Sequence, residues 1–286
     1  FGGGGDHVKH GDLDSSMAAP KRTMDVHMAV DGANMTCSAC HRAEKHAIPG
    51  KSLGVSMSGG GQTLNCTDCH AGTPHGPNAQ LNRHAQKVAC QTCHIPTFAR
   101  TLPTKVWWDW STAGRDGPVP KDQYGLPLYD KQKGDFKWAK DIKPTYMWFN
   151  GSVDRYLAGD KMDPTKVTHL NYPRGDRTSG ALLTPFKVMQ GKQPYDSVNN
   201  IFAVPNLWGG YWGHWDWNKA IADGMKAAGL DYSGQYGFAP TDMYWKVNHM
   251  VVPKAQALKC NDCHGANSRL DWKALGYAGD PRSMKR

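Results

Sequence analysis

Cys37-Ser38-Ala39-Cys40-His41, Cys66-Thr67-Asp68-Cys69-His70, Cys90-Gln91-Thr92-Cys93-His94 and Cys260-Asn261-Asp262-Cys263-His264 together use all eight cysteines of the chain. In such a run the two thiols add across the vinyl groups of one porphyrin, and the histidine that follows is held under the iron as its proximal ligand. A Cys-x-x-Cys pair alone would also fit a redox dithiol or half of a zinc site. Neither gives a reason for histidine to fill the fifth position every time. The pattern predicts four covalent c-type haems, bound by Cys37, Cys40, His41, Cys66, Cys69, His70, Cys90, Cys93, His94, Cys260, Cys263 and His264.

The chain has 286 residues, of which only 39% are hydrophobic. Porphyrin faces would supply the missing apolar core, so the chain without haem should be much less ordered than the chain with it. The formal charge is +9. Each ferric haem with neutral histidines and two propionates brings about one negative charge, so four of them lower +9 to roughly +5. No basic run interleaved with aromatics follows a phosphate backbone, and nucleic acid is not expected as a partner. No stretch approaches the length of apolar residues needed to span a membrane. Haem is attached to these motifs outside the cytoplasm, so a periplasmic or extracellular location is expected. The opening Phe1-Gly2-Gly3-Gly4-Gly5 suggests either a processed terminus or the middle of a longer polypeptide.

Composition divides the chain into two regions. Residues 1–94 hold three motifs and no tryptophan; residues 95–286 form a tryptophan-rich loop region that ends in the fourth motif. Proline and glycine recur from Pro96 to Pro205, as in Asp116-Gly117-Pro118 and Pro173-Arg174-Gly175, which reads as loops and short strands wrapped over haem. Helices are expected over Leu81–Thr92 and Asp216–Ala228, with a helical turn over Lys254–Lys259. With no sheet pattern strong enough to organise the whole, the expected fold is mostly α with extensive irregular loops around a haem-organised core. Trp107-Trp108-Asp109-Trp110 and the run from Trp208 to Trp217 are expected to pack on porphyrin edges.

Distal ligands must come from the nine remaining histidines. A distal ring has to reach the face opposite the proximal one, so a histidine five positions after a motif would serve a neighbouring haem. His46 and His75 stand in that relation to His41 and His70. His27, His84 and His249 precede motifs by enough chain to fold over a face. The candidate distal ligands are His10, His27, His46, His75, His84 and His249, with His169 and His214 weaker. Methionine ligation is unnecessary given this surplus, and the twelve methionines read as packing residues. Six-coordinate haems leave no open position, which points to electron transfer. Neither a nucleotide-binding glycine motif nor a nucleophile elbow is present.

Several stretches resemble the octahaem tetrathionate reductase family of multihaem cytochromes c. They include Gly2 to Ser16, Asp25-Val26-His27-Met28, Trp108 to Gly114, Pro185-Phe186-Lys187, Gln193-Pro194-Tyr195-Asp196, Met243 to Met250 and Asp271 to Tyr277. The resemblance runs nearly end to end and fits the C-terminal, tetrahaem part of that family, whose full-length members carry up to eight haems. It implies reduction of tetrathionate, nitrite or hydroxylamine at an unusual haem with a lysine ligand, and places that lysine at Lys9 with a pocket aspartate at Asp6. It further implies a redox partner protein or quinol-oxidising cytochrome as electron source and a small sulfur or nitrogen oxyanion as substrate. The alternative is a tetrahaem conduit without catalysis, either a soluble carrier or an oligomeric subunit of an extracellular cytochrome filament. His7 and His10 could then ligate a haem of the next subunit.

Overall fold

In the computed structural model, residues 6–42 and 64–284 are described. Among the described residues ten strands run in chain order: β1 Thr104–Asp109, β2 Tyr129–Asp130, β3 Gly134–Ala139, β4 Thr145–Phe149, β5 Val153–Arg155, β6 Thr168–His169, β7 Asn171–Pro173, β8 Leu182–Asp196, β9 Ile201–Phe202 and β10 Tyr236–Lys246. Eight of them form one mixed sheet, ordered β2-β3-β1-β8-β10-β6, with β4 and β9 also paired to β8. Strands account for 23% of the described residues and helices for 20%, so the expectation of a mostly α fold is corrected to a mixed α/β one.

The long strand β8 is the centre of this sheet. It pairs antiparallel with β10 from Phe186↔Lys246 to Asp196↔Tyr236, while its other edge takes β4 antiparallel and then β1 in parallel. Pro185, Gly191, Pro194 and Pro240 lie inside these strands and read in sequence as breakers, because proline donates nothing to the ladder and glycine packs nothing. The eleven consecutive β8–β10 register positions outweigh those missing donors. Gly191 is needed where it stands: a Cβ there would lie 2.7 Å from the Trp108 carbonyl oxygen, so the β1 backbone could not approach.

Short helices carry the motifs around the sheet. α1 is Cys37–Cys40, α2 Ala79–His84, α3 Cys90–His94, α4 Trp212–His214, α5 Trp217–Ala227 and α6 Cys260–Cys263, and the second motif opens with a 3-10 turn over Cys66–Asp68. The expected helix over Leu81–Thr92 is broken into α2 and α3, because Val88 bridges to Leu183 and Ala89 N–H donates to the Leu183 carbonyl. The expected helix at Asp216–Ala228 is present as α5. The Asp216 carboxylate caps it by accepting from Lys219 N–H, and Gly229, at φ +69°, ends it. Lys254–Gln256 forms the single turn expected before the fourth motif. No helix among the described residues is long and apolar enough to cross a membrane.

Candidate haem-binding site

A helical turn is the local structure that a Cys-x-x-Cys-His run requires, since positions i and i+3 share one face and the next residue follows at the end of the turn. The motif histidines close their turns onto the first cysteine: His41, His70 and His264 N–H donate to the carbonyls of Cys37, Cys66 and Cys260 at 2.8, 2.9 and 2.9 Å, and His94 is the last residue of α3, which begins at Cys90. β8 fixes the third motif, where the Thr92 hydroxyl donates to the Leu183 carbonyl at 2.7 Å. The fourth is fixed by Arg269, which donates to the Pro96 carbonyl at 2.8 Å and to the Tyr146 hydroxyl at 2.9 Å. All eight cysteines are free of disulfides.

Each motif histidine faces a second histidine. The ring centroids of His41 and His249 are 6.3 Å apart, those of His70 and His27 6.1 Å, those of His94 and His75 6.4 Å, and those of His264 and His84 6.3 Å. An imidazole nitrogen sits about 2.0 Å from a bound transition metal and about 1.1 Å from its own ring centre, so two rings on opposite sides of one metal lie about 6.2 Å apart. The four separations match that requirement, and the residues fit haem iron held between paired imidazoles. The pairs also share their supports in rotation. His27 precedes the first motif and faces the second; His75 follows the second and faces the third. His84 precedes the third and faces the fourth, and His249 precedes the fourth and faces the first.

Carboxylates buried between segments aim these rings. Asp25 accepts His27 N–H at 2.9 Å and Met28 N–H at 3.0 Å on one oxygen, and Met250 and Val251 N–H, both at 3.0 Å, on the other. The strand of chain bearing His27 is thus tied to the one bearing His249. Asp12 accepts Asn248 N–H at 2.7 Å, His249 N–H at 2.9 Å and His249 Nδ1 at 3.2 Å. Burial would raise the Asp12 carboxyl, but these contacts hold it down at about 2. Burial would likewise lower His249, and the same carboxylate raises it instead. His94 lies below the ordinary histidine range, first through burial and then through the neighbouring His75. The Cys66 and Cys90 side chains lie within hydrogen-bonding reach of each other, so the second and third motifs stand side by side.

Of the remaining candidates, His46 lies outside the described residues. No motif histidine among the described residues faces His10. Its ring meets Trp245 edge-on at 4.9 Å, with Nδ1 4.0 Å from Asp12, and burial lowers its basicity. His169 Nδ1 donates to Asp242 at 2.6 Å, and His214 Nδ1 accepts from Asp216 N–H at 3.1 Å. Asp6 accepts Ser15 N–H at 2.9 Å; burial pulls its carboxyl up, and the Ser15 contacts with the nearby His7 bring it below the usual range. The Lys9 carbonyl is held by the buried Lys187 ammonium at 2.7 Å, beside Val8 at 2.8 Å and the Thr104 hydroxyl at 2.6 Å. Sequence reasoning did not single out Asp12, Asp25 or Asp280. Asp25, two residues before His27, carries the only local signal of the three.

Four Cys-x-x-Cys-His turns, each opposite a second imidazole, define a multihaem c-type cytochrome. Comparison with known proteins agrees. The model of the family described as "Cytochrome c bacterial" matches residues 105–267, and that described as "Cytochrome c7 and related cytochrome c" matches residues 20–99. Among solved structures, the octaheme cytochrome c from Shewanella oneidensis is similar at 52% identity and a TM-score of 0.92, over 98% of this chain. This chain spans 66% of the length of that protein. No curated protein matches it. The chain belongs to the bacterial cytochrome c family and is a multihaem cytochrome c that binds haem c covalently and transfers electrons.

Proposed function

We propose that the chain carries four bis-histidine haems and works as the electron-supply portion of a reductase for tetrathionate, nitrite or hydroxylamine, in the periplasm or outside the cell. The observation that carries the first part is the set of four histidine pairs at 6.1 to 6.4 Å. His41 and His249, His70 and His27, His94 and His75, and His264 and His84 are the proposed ligand pairs. Haem supplies the one-electron chemistry when bound; the paired histidines would hold its iron from both sides, leave small molecules no place to bind it and keep neighbouring sites close. Breaking an S–S or N–O bond needs at least two electrons, so a row of close haems can deliver the second before an intermediate escapes.

The likeness to an octaheme cytochrome supports the reductase reading, with Lys9 and Asp6 as the residues this chain would contribute to the substrate site. Asp6, held ionised by Ser15, could hold a cation or pass a proton, and Lys187 fixes the backbone from which Lys9 projects. A redox protein or quinol-oxidising cytochrome is the proposed donor. Pyridine haemochrome analysis should return four haems per chain, with low-spin spectra in both redox states and no carbon monoxide binding when reduced. An open, carbon-monoxide-binding haem among these four would overturn the ligation. In the native polypeptide, with reduced viologen as donor, Lys9→Ala should lower turnover of tetrathionate, nitrite or hydroxylamine at least tenfold. Failure of the native protein to reduce any of them would leave the second reading, a conduit without catalysis, which the filling of all four pairs also favours.

A further inference from the structure

Within the histidine pairs, the Nδ1 atoms of His264, His84, His249, His27 and His75 meet different partners. His264 Nδ1–H donates to Asp280 Oδ1 at 2.6 Å. That carboxylate cannot swing away, because Gly265 N–H donates to its Oδ2 at 2.6 Å and Arg282 N–H to its Oδ1 at 2.9 Å. Both side chains are mostly buried, at 15% and 14% exposure, and the Trp272 ring stacks on His264 at 5.2 Å and 20°. Across the same site, His84 Nδ1 has only a neutral acceptor, the Gln80 carbonyl at 2.9 Å. In the first pair the Asp12 carboxylate is 3.2 Å from His249 Nδ1 and is shared with two backbone N–H groups. In the second, Asp25 is 3.9 Å from His27 Nδ1, beyond hydrogen-bond distance. In the third, His75 Nδ1 is buried with no hydrogen-bond partner among the described residues.

We infer that Asp280 is a positioning residue that, acting through His264, sets the potential of the fourth haem below that of the third. The inference rests on the bis-histidine ligation proposed above. A carboxylate drawing on the Nδ1 proton makes the ring a stronger electron donor at its other nitrogen, which favours the ferric over the ferrous metal; a carbonyl does so less, and an unpartnered nitrogen least. The third and fourth motifs are neighbours, since Leu258 N–H donates to the Cys93 carbonyl at 2.9 Å. One electron taken from a one-electron donor at the fourth site would therefore pass downhill to the third, the fourth iron returning to ferric as the third becomes ferrous.

Spectroelectrochemical titration of the chain with its haems attached, followed in the visible bands and by electron paramagnetic resonance, tests this. Asp280→Asn keeps an oxygen for Gly265 and removes the charge. The reduction wave of the fourth haem should rise by about 59 mV or more, a tenfold change in the ferric-to-ferrous equilibrium of a one-electron couple, while the other waves stay in place. Asp280→Glu, which retains the charge, should keep the wave low. Should Asp280→Asn fail to mature, Asp280→Ser serves in its place with the same upward shift expected. A low-spin variant with all waves unmoved, or with all moved equally, overturns the role of Asp280 and leaves the ligation intact. A high-spin spectrum in the unaltered protein is the distinguishable failure, that of the ligation itself.

Discussion

Lys105 is a buried cation with rings for neighbours. Its ammonium lies 3.2 Å from the centroid of Phe136, 4.5 Å from Trp108 and 5.0 Å from Trp138, and burial pushes it down to about 7. Because the unfolded chain keeps the ordinary lysine value of 10.5, it holds a proton between about 7 and 10.5 that the folded chain has released. Stability at this site therefore rises with pH across that window, and the cost of burying the ammonium is fully present below it. Lys105→Met should flatten the rise. Denaturant midpoints of the two proteins, measured from pH 6 to roughly pH 10, should converge as pH increases, with the variant ahead at the acid end. Equal slopes would mean that the ring faces hold the charge at no net cost.

α5 shows how packing reverses a local preference. Glycine inside a helix costs about 1 kcal/mol relative to alanine, so Gly224 reads in sequence as a weak point. The structure requires it: a Cβ at Gly224 would stand 1.9 Å from the Val204 carbonyl oxygen, where the preceding loop crosses the helix. Gly224→Ala should therefore destabilise, by about 1–3 kcal/mol after the loop shifts, although it raises helix propensity. Thermal unfolding followed by far-ultraviolet circular dichroism checks the sign. The same helix buries Trp217, Ala220, Ile221 and Met225, all on one face, and its position was legible from a cap at Asp216 or Asn218, of which Asp216 serves, and from the stop at Gly229. β8 was not legible, because its buried run Leu183–Lys187 contains a proline and a lysine and shows no alternation.

The rotation of supports around the four histidine pairs makes the molecule a closed loop of dependencies. On the proposed ligation, the turn that anchors the third haem also carries the chain that presents His84 to the fourth, and the fourth motif's flank presents His249 to the first. Removing one haem should loosen the next. Replacing Cys90 and Cys93 with Ala should leave three haems or fewer by pyridine haemochrome and, through His84, convert part of the fourth to a high-spin form. Magnetic circular dichroism would detect that component. A variant with three wholly low-spin haems would show that each site holds its distal ring without its neighbour.

The four motifs and the covalent haem chemistry they imply were readable from residues alone, because covalent attachment needs fixed neighbours in sequence; a distal ring needs only enough chain to reach a face, which narrows the proposed ligands to a shortlist holding His27, His75, His84 and His249. Which histidine faces which motif was not readable. His249 and His41 are 208 positions apart, and their meeting depends on Asp12 and Asp25 gathering segments from both ends of the chain. The sheet was likewise decided by pairing between distant strands: β8 and β10 satisfy each other's backbone across proline and glycine positions that, taken singly, argue for loops. Local chemistry is written in adjacent residues, whereas register, ring-to-ring facing and the carboxylates behind the rings arise only when segments far apart in sequence bury one another's polar groups.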